Sequence, residues 1–268
     1  MRHILFPTDF SDASRHAFSY ALLLAESFQA QLTLAHVLHS ILEPDYFTRT
    51  APTYTHEQAE PLLKEMVAAA SGRVKCQYHL LEGKAVESIS RLAEEIGADL
   101  IVAGTSGAGT SPEVVAMSHA ADLIAETSRA VLAVPANVPL QSPSKIVLAL
   151  DFKPLRDLSI LKPLVEIARR FSAEVLFLNV VEDQSDRESR TLAEKERIGR
   201  LFGDFNFSVH FVEAEHVDEG ITRFAEEVQA QLIAVIERKR GFLKNFFHDS
   251  VSQKVALYTH TPLLALAE

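Results

Sequence analysis

The sequence predicts an α/β protein built from two tandem doubly wound domains, each a parallel sheet with helices on both faces. Three observations carry that prediction. Short continuous apolar runs alternate with amphipathic stretches in each half, the pattern of parallel strands covered on both sides. The halves repeat: ILFPTDF at 4–10 matches IVLALDF at 146–152, with Asp9 falling on Asp151. The chain has 268 residues, and single hydrophobic cores stop growing near ~250 residues.

The offset between copies is 142 in that first block and 143 in the next, QAQLTLAHVLHS at 29–40 against SAEVLFLNVVED at 172–183. It drops to 132 for LAEEIGADLIVA at 92–103 against FAEEVQAQLIAV at 224–235, and holds for 131–134 against 263–266. A near-constant offset on either side of one step reads as a tandem duplication in which the first copy carries a longer segment around 43–59.

Taken in order, the apolar runs of the first copy predict strands at 3–6, 31–38, 74–80, 100–103 and 130–134. Helical periodicity fills the gaps at 13–29, 57–71, 85–97 and 112–128. Ser11 or Asp12 suits the cap of the first helix, and Gly97 sits where a helix C-terminal glycine belongs. In the second copy strands fall at 145–150, 174–181, 206–213, 232–236 and 262–266. Between the copies, PANVPLQSPS at 135–144 reads as a linker of prolines and small polar residues. The domains are therefore 1–140 and 141–268.

Composition narrows the function classes. There are 26 Lys+Arg against 36 Asp+Glu, a formal charge of −10, and both halves are acidic, so sequence-independent nucleic-acid binding is not expected. No apolar run reaches the ~18 residues of a membrane span. MRHILFPTDF enters a strand without the pattern of a signal peptide. Cys76 is the single cysteine, which excludes an internal disulfide and fits a reducing compartment. A cytoplasmic protein, off the membrane, is the expectation.

Doubly wound sheets bind ligands beyond the carboxyl ends of their strands where the winding reverses, which points at the residues after strands one and four. After strand four stands GTSGAGTS at 104–111, leading into a helix. Small residues let backbone N–H groups approach an anion, and a helix N-terminus adds positive potential. A flexible turn is the competing account. The run fits neither the P-loop, because Thr110 replaces the lysine, nor the nucleophile elbow, because Ala108 stands at its fifth position. Asp9 could serve as a base or cap the turn into the first helix. His36 and His39, three apart in a strand, face opposite ways. His3 and His119 are assigned with them to core or surface, and no metal-ligand spacing occurs. The acid pairs Glu94/Glu95 and Glu226/Glu227 read as solvated faces, and Phe242, Phe246 and Phe247 as core.

PTDFS after the first strand, GADLIVAGTSG at the fourth and AVLAVP at the fifth occur in the order of the landmarks of the universal stress protein family. The chain resembles a tandem member of that family over nearly its whole length. The resemblance implies five-stranded parallel sheets of order 3-2-1-4-5, an adenine nucleotide alpha hydrolase-like fold, paired through their last strands. It also implies an ATP site, with Mg, in which Gly104, Gly107 and Ser118 hold phosphates through the pattern G-2x-G-9x-G-[ST]. Asp9 and Val37 would hold adenosine. Met117 stands where the third glycine belongs, and its side chain would crowd the phosphates. In the second copy Ile236, Lys239 and Asp249 replace all three glycines and only Ser250 survives, so no nucleotide is expected there. Arg238, Lys239, Arg240 and Lys244 make a basic stretch, read as a charge-balanced surface loop.

Two functions follow. The first is a non-catalytic stress-response protein, an intramolecular pseudo-dimer that could pair again into a homodimer and act on a protein partner. The second is an ATP-binding switch or slow ATPase using the first-copy glycine loop.

Overall fold

A computed structural model describes residues 1–38, 54–105, 119–181, 196–200, 207–238, 255 and 260–268. Ten strands form one sheet in the order β3-β2-β1-β4-β5-β10-β9-β6-β7-β8. In the first copy these are β1 (His3–Pro7), β2 (Gln31–Leu38), β3 (Cys76–Glu82), β4 (Leu100–Thr105) and β5 (Ala130–Pro135). In the second they are β6 (Lys145–Ala149), β7 (Glu174–Val181), β8 (Phe207–Glu213), β9 (Leu232–Glu237) and β10 (Leu263–Ala267). Each copy thus has the expected order 3-2-1-4-5, with every neighbouring pair inside a copy parallel.

The helices bounded within the described residues are α1 (Asp12–Phe28), α2 (His56–Ala70), α3 (Ala85–Glu95), α4 (His119–Glu126), α5 (Lys162–Phe171) and α6 (Val217–Glu227). Ile4 and Phe6 of β1 turn to one face, where α1, α2 and α5 pack; Leu5 turns to the other, with α3, α4 and α6. Strands buried on both faces need apolar residues at every position, which is why the runs in the sequence do not alternate.

Local chemistry sets the ends. The Ser11 hydroxyl, not Asp12, caps α1 by accepting from Ser14 N at 3.2 Å. Gln29 closes α1 and Ser172 closes α5, both in the left-handed region at φ 52° and 51°. Gly97 follows α3 at φ 62°, and Gln229, its counterpart at the offset of 132, follows α6 at φ 56°. The duplication conserves these backbone turns even where glycine has been replaced, at the modest cost of a left-handed non-glycine residue.

The copies join where β5 and β10 pair antiparallel. Leu264 lies opposite Leu132, flanked by Leu263 opposite Ala133 and Ala265 opposite Val131. At the offset of 132, Leu264 is the counterpart of Leu132, so a pseudo-two-fold axis passes between them and the contact is isologous. Phe28 and Phe171, also counterparts, meet edge to face at 6.3 Å near the same axis. Both main cores run through this junction, since each contains residues of both copies. Among the described residues no helix is long and apolar enough to cross a membrane.

Candidate functional site

β1 ends at Pro7 between β2 and β4, and the winding reverses there. The β1–β2 ladder closes with Pro7 opposite Ala35 and Thr8 N donating to Ala35 O at 2.8 Å. Ala35 and Val37 are two apart and so turn the same backbone edge toward β1. Val37 therefore presents its N–H and C=O beyond the last rung of that ladder. Its side chain is core, 5% exposed among the residues under α3 and α4. A role for Val37 thus belongs to its backbone.

Asp9 follows at once. Its Oδ1 accepts from Ser11 N at 3.0 Å, an Asx turn that leads the chain into α1. Phe10, between them, is forced to φ 62°, unfavourable for a bulky residue by ~1–2 kcal/mol. The ring is 4% exposed, and burying a phenyl side chain returns ~1.5–3 kcal/mol, which offsets the strain. Asp151 repeats the turn with Lys153 N at 3.1 Å, and Phe152 repeats the conformation at φ 50°. The capping role weighed for Asp9 is what the geometry displays, with its second oxygen left over among the described residues.

Gly104, one residue before the end of β4, stands beside this turn. A Cβ there would stand 2.7 Å from Ala13 O and 2.9 Å from Ala13 C, in the first turn of α1. The gap that the missing side chain leaves is filled by the protein's own backbone. The first reason for glycine at 104 is therefore helix-on-strand packing, a signal that spacing in the sequence could not distinguish from a phosphate cradle. Next to it, Thr105 is 2% exposed and its Oγ1 has no hydrogen-bond partner among the described residues, a buried polar group of the kind that a ligand can satisfy. Asp9, Val37 and Gly104 are thus brought to the tops of three adjacent strands. Gly107, Met117 and Ser118 lie outside the described residues.

His36, assigned to core or surface, is core at this same edge. It is 5% exposed, and its Nδ1 is 2.7 Å from Thr8 O. A carbonyl only accepts, so the proton sits on Nδ1. The ring lies tilted by 35° against Phe10 with centroids 4.6 Å apart, and Tyr54 closes the group at 5.1 Å from Phe10. In the second copy Asn179 Nδ2 donates to Leu150 O at 2.6 Å in the same place. The aligned repeats held the clue, since His36 falls on Asn179 and both can donate. His36→Asn should accordingly leave the thermal midpoint within about 2 °C of wild type, whereas His36→Leu should cost about 1–2 kcal/mol in denaturant titration.

The other candidates separate from this edge. His3 lies at the opposite end of β1, bonded to Ile96 O and Thr33 Oγ1. The Cys76 thiol on β3 is pushed up to about 11 by burial, so it is no nucleophile at neutral pH. Glu94 and Glu95 are surface residues paired with Arg129 and Arg91, and Glu227 pairs with Arg223. No metal-binding group of acids, histidines or cysteine occurs among the described residues. His39, Phe242, Phe246, Phe247, Lys239, Arg240 and Lys244 fall outside the described residues, as do Asp249 and Ser250. His119 begins α4, but its side chain is not described. Of that stretch only Arg238 is described, and its charge is balanced: the guanidinium pairs with Asp151 at 3.0 Å and with Glu268 at 3.4 Å.

Two doubly wound domains fused through their last strands, each with an Asx turn at the top of its first strand, define the class. Within it, the profile of the Universal stress protein family matches residues 1–135 and 143–266, and the chain belongs to that family. A universal stress protein of Methanocaldococcus jannaschii is 31% identical over 111 residues, 40% of this chain. The match spans 65% of that relative's length, a little under two thirds. The crystal structure of a universal stress protein from Archaeoglobus fulgidus is similar over 99% of this chain and 96% of its own, with a TM-score of 0.74 and 18% identity. A universal stress protein in complex with cAMP matches 51% of this chain and 98% of its own, at 22% identity and a TM-score of 0.40.

Proposed function

We propose that the chain is a non-catalytic, cytoplasmic regulatory protein of the stress response in which only the first domain, 1–140, takes a ligand, an adenine nucleotide. The contrast between two equivalent aspartates carries the reading. Asp9 makes no ion pair among the described residues, while Asp151, in the domain 141–268, is bound to Arg238 at 3.0 Å. The free Asp9 oxygen can accept from ribose hydroxyls, the edge of Val37 can pair with an adenine ring, and the Thr105 hydroxyl awaits a donor or acceptor. Phosphates, with Mg, would fall to the loop containing Gly107 and Ser118.

The non-catalytic part rests on Asp9, whose described partner is a backbone amide. Regulation then runs through an unidentified protein partner. A homodimer belongs to the same proposal and would use the outer strands β3 or β8, since β5 and β10 are already joined.

Equilibrium dialysis of the whole chain with ATP and Mg should give one nucleotide per chain. Asp9→Asn keeps the oxygen that accepts from Ser11 N but removes the charge, and should weaken binding about tenfold or more. No saturable binding at millimolar nucleotide would reject the ligand. Phosphate release above a protein-free control would replace the non-catalytic reading with a slow ATPase.

A further inference from the structure

The second copy departs from the first at the top of its sheet. α1 starts at Asp12, three residues after Asp9. After Asp151 the chain is not helical until a 3-10 turn at Leu158–Leu161, and α5 begins only at Lys162. Two of the intervening carbonyls, which a helix would satisfy internally, are met by side chains instead. Lys153 O accepts from the Arg238 guanidinium at 2.9 Å, and Leu155 O accepts from Arg197 at 3.0 Å.

Arg238 reaches further. The same guanidinium donates to Asp151 Oδ1 at 3.0 Å and lies 3.4 Å from Glu268 Oε2. Glu268 Oε1 accepts from Arg156 N at 2.7 Å. The Glu268 side chain is only 8% exposed, and the Arg238 guanidinium is the opposite charge that it faces. A planar fork with five donors can serve Asp151, Lys153 and Glu268 together; a lysine ammonium cannot match that geometry. At the offset of 132, Arg238 corresponds to Ser106 and Ile236 to Gly104. A side chain at the Gly104 position collides with the first turn of α1, so Ile236 and a full-length first helix are incompatible in this arrangement.

We propose that Arg238 is a built-in occupant of the second copy's ligand position. Its guanidinium stands against Asp151 where a ligand would stand against Asp9. It pins residues 151–157 as a non-helical strap to the ends of β9 and β10. This copy therefore keeps one conformation with no ligand bound. Only the term ligand position rests on the one-site reading above; the strap does not.

Hydrogen exchange of the whole chain, read by mass spectrometry without nucleotide, tests this. In Arg238→Ala, amides of 151–161 should exchange at least tenfold faster than in wild type, while 8–16 in the first copy stays unchanged. Arg238→Lys keeps the charge without the fork and should fall between the two. Adding Asp151→Asn to Arg238→Ala should accelerate 151–161 no further. Exchange of 151–161 within twofold of wild type in both single variants overturns the proposal. So does equal acceleration of 8–16, which would mean general loosening. Because no nucleotide is present, failure of ATP to bind would sink the one-site reading and leave this result standing.

Discussion

Gly104→Val will lower the thermal midpoint by about 6–12 °C, read by circular dichroism, from a destabilisation of about 3 kcal/mol. The cause is steric. A Cβ at 104 lies 2.7 Å from Ala13 O, and that oxygen belongs to a helix whose first turn is tied down by its Ser11 cap and by Ser14 Oγ donating to Thr8 Oγ1 at 2.8 Å. The backbone cannot yield by a few tenths of an ångström without loosening both. A glycine kept only for a ligand would behave otherwise, with binding lost at an unchanged midpoint. The corresponding change in the second copy, Ile236→Gly, relieves no clash. It should cost about 2 kcal/mol through lost burial and the freedom of glycine.

Larger still is the effect at the junction of the copies. Leu132→Asp should cost about 5 kcal/mol in denaturant titration, because it sets a carboxylate among apolar side chains without a partner. Leu132 is 3% and Leu264 0% exposed, and they face each other across the β5–β10 pair. Leu132→Ala and Leu264→Ala should each cost about 3 kcal/mol. Together they should cost less than the sum by about 0.5–1 kcal/mol, since the two truncations open one shared void. Strict additivity would mean that the side chains do not meet at the axis.

The fold was almost entirely legible because its signals are redundant. Each inner strand is a largely apolar run, and each run occurs twice. The repeat therefore supplied the register of the domains as well as their number. Boundaries moved by only a residue or two where hydrogen bonds, not hydropathy, decide the end. An example is β3, which begins at Cys76 rather than residue 74. The site was legible only in part. Asp9, Val37 and Gly104 could be placed at one edge from the order of strands, yet their roles depend on what lies within a few ångströms in space. Gly104 meets Ala13, ninety-one residues away in sequence. His36 bonds the Thr8 carbonyl just beyond another strand, and Arg238 joins residues of two other segments. Pairings of that kind leave no periodicity for a sequence to display.

The axis between Leu132 and Leu264 has a genetic consequence. In a symmetric dimer of separate chains, one codon change alters both subunits, so a guanidinium that stops one site must stop the other. Fusion of the copies lifts that rule. A substitution at 238 arises once, on one side of the axis, and leaves the Asp9 side as it was. The covalent join thus lets two halves with identical architecture inherit different fates.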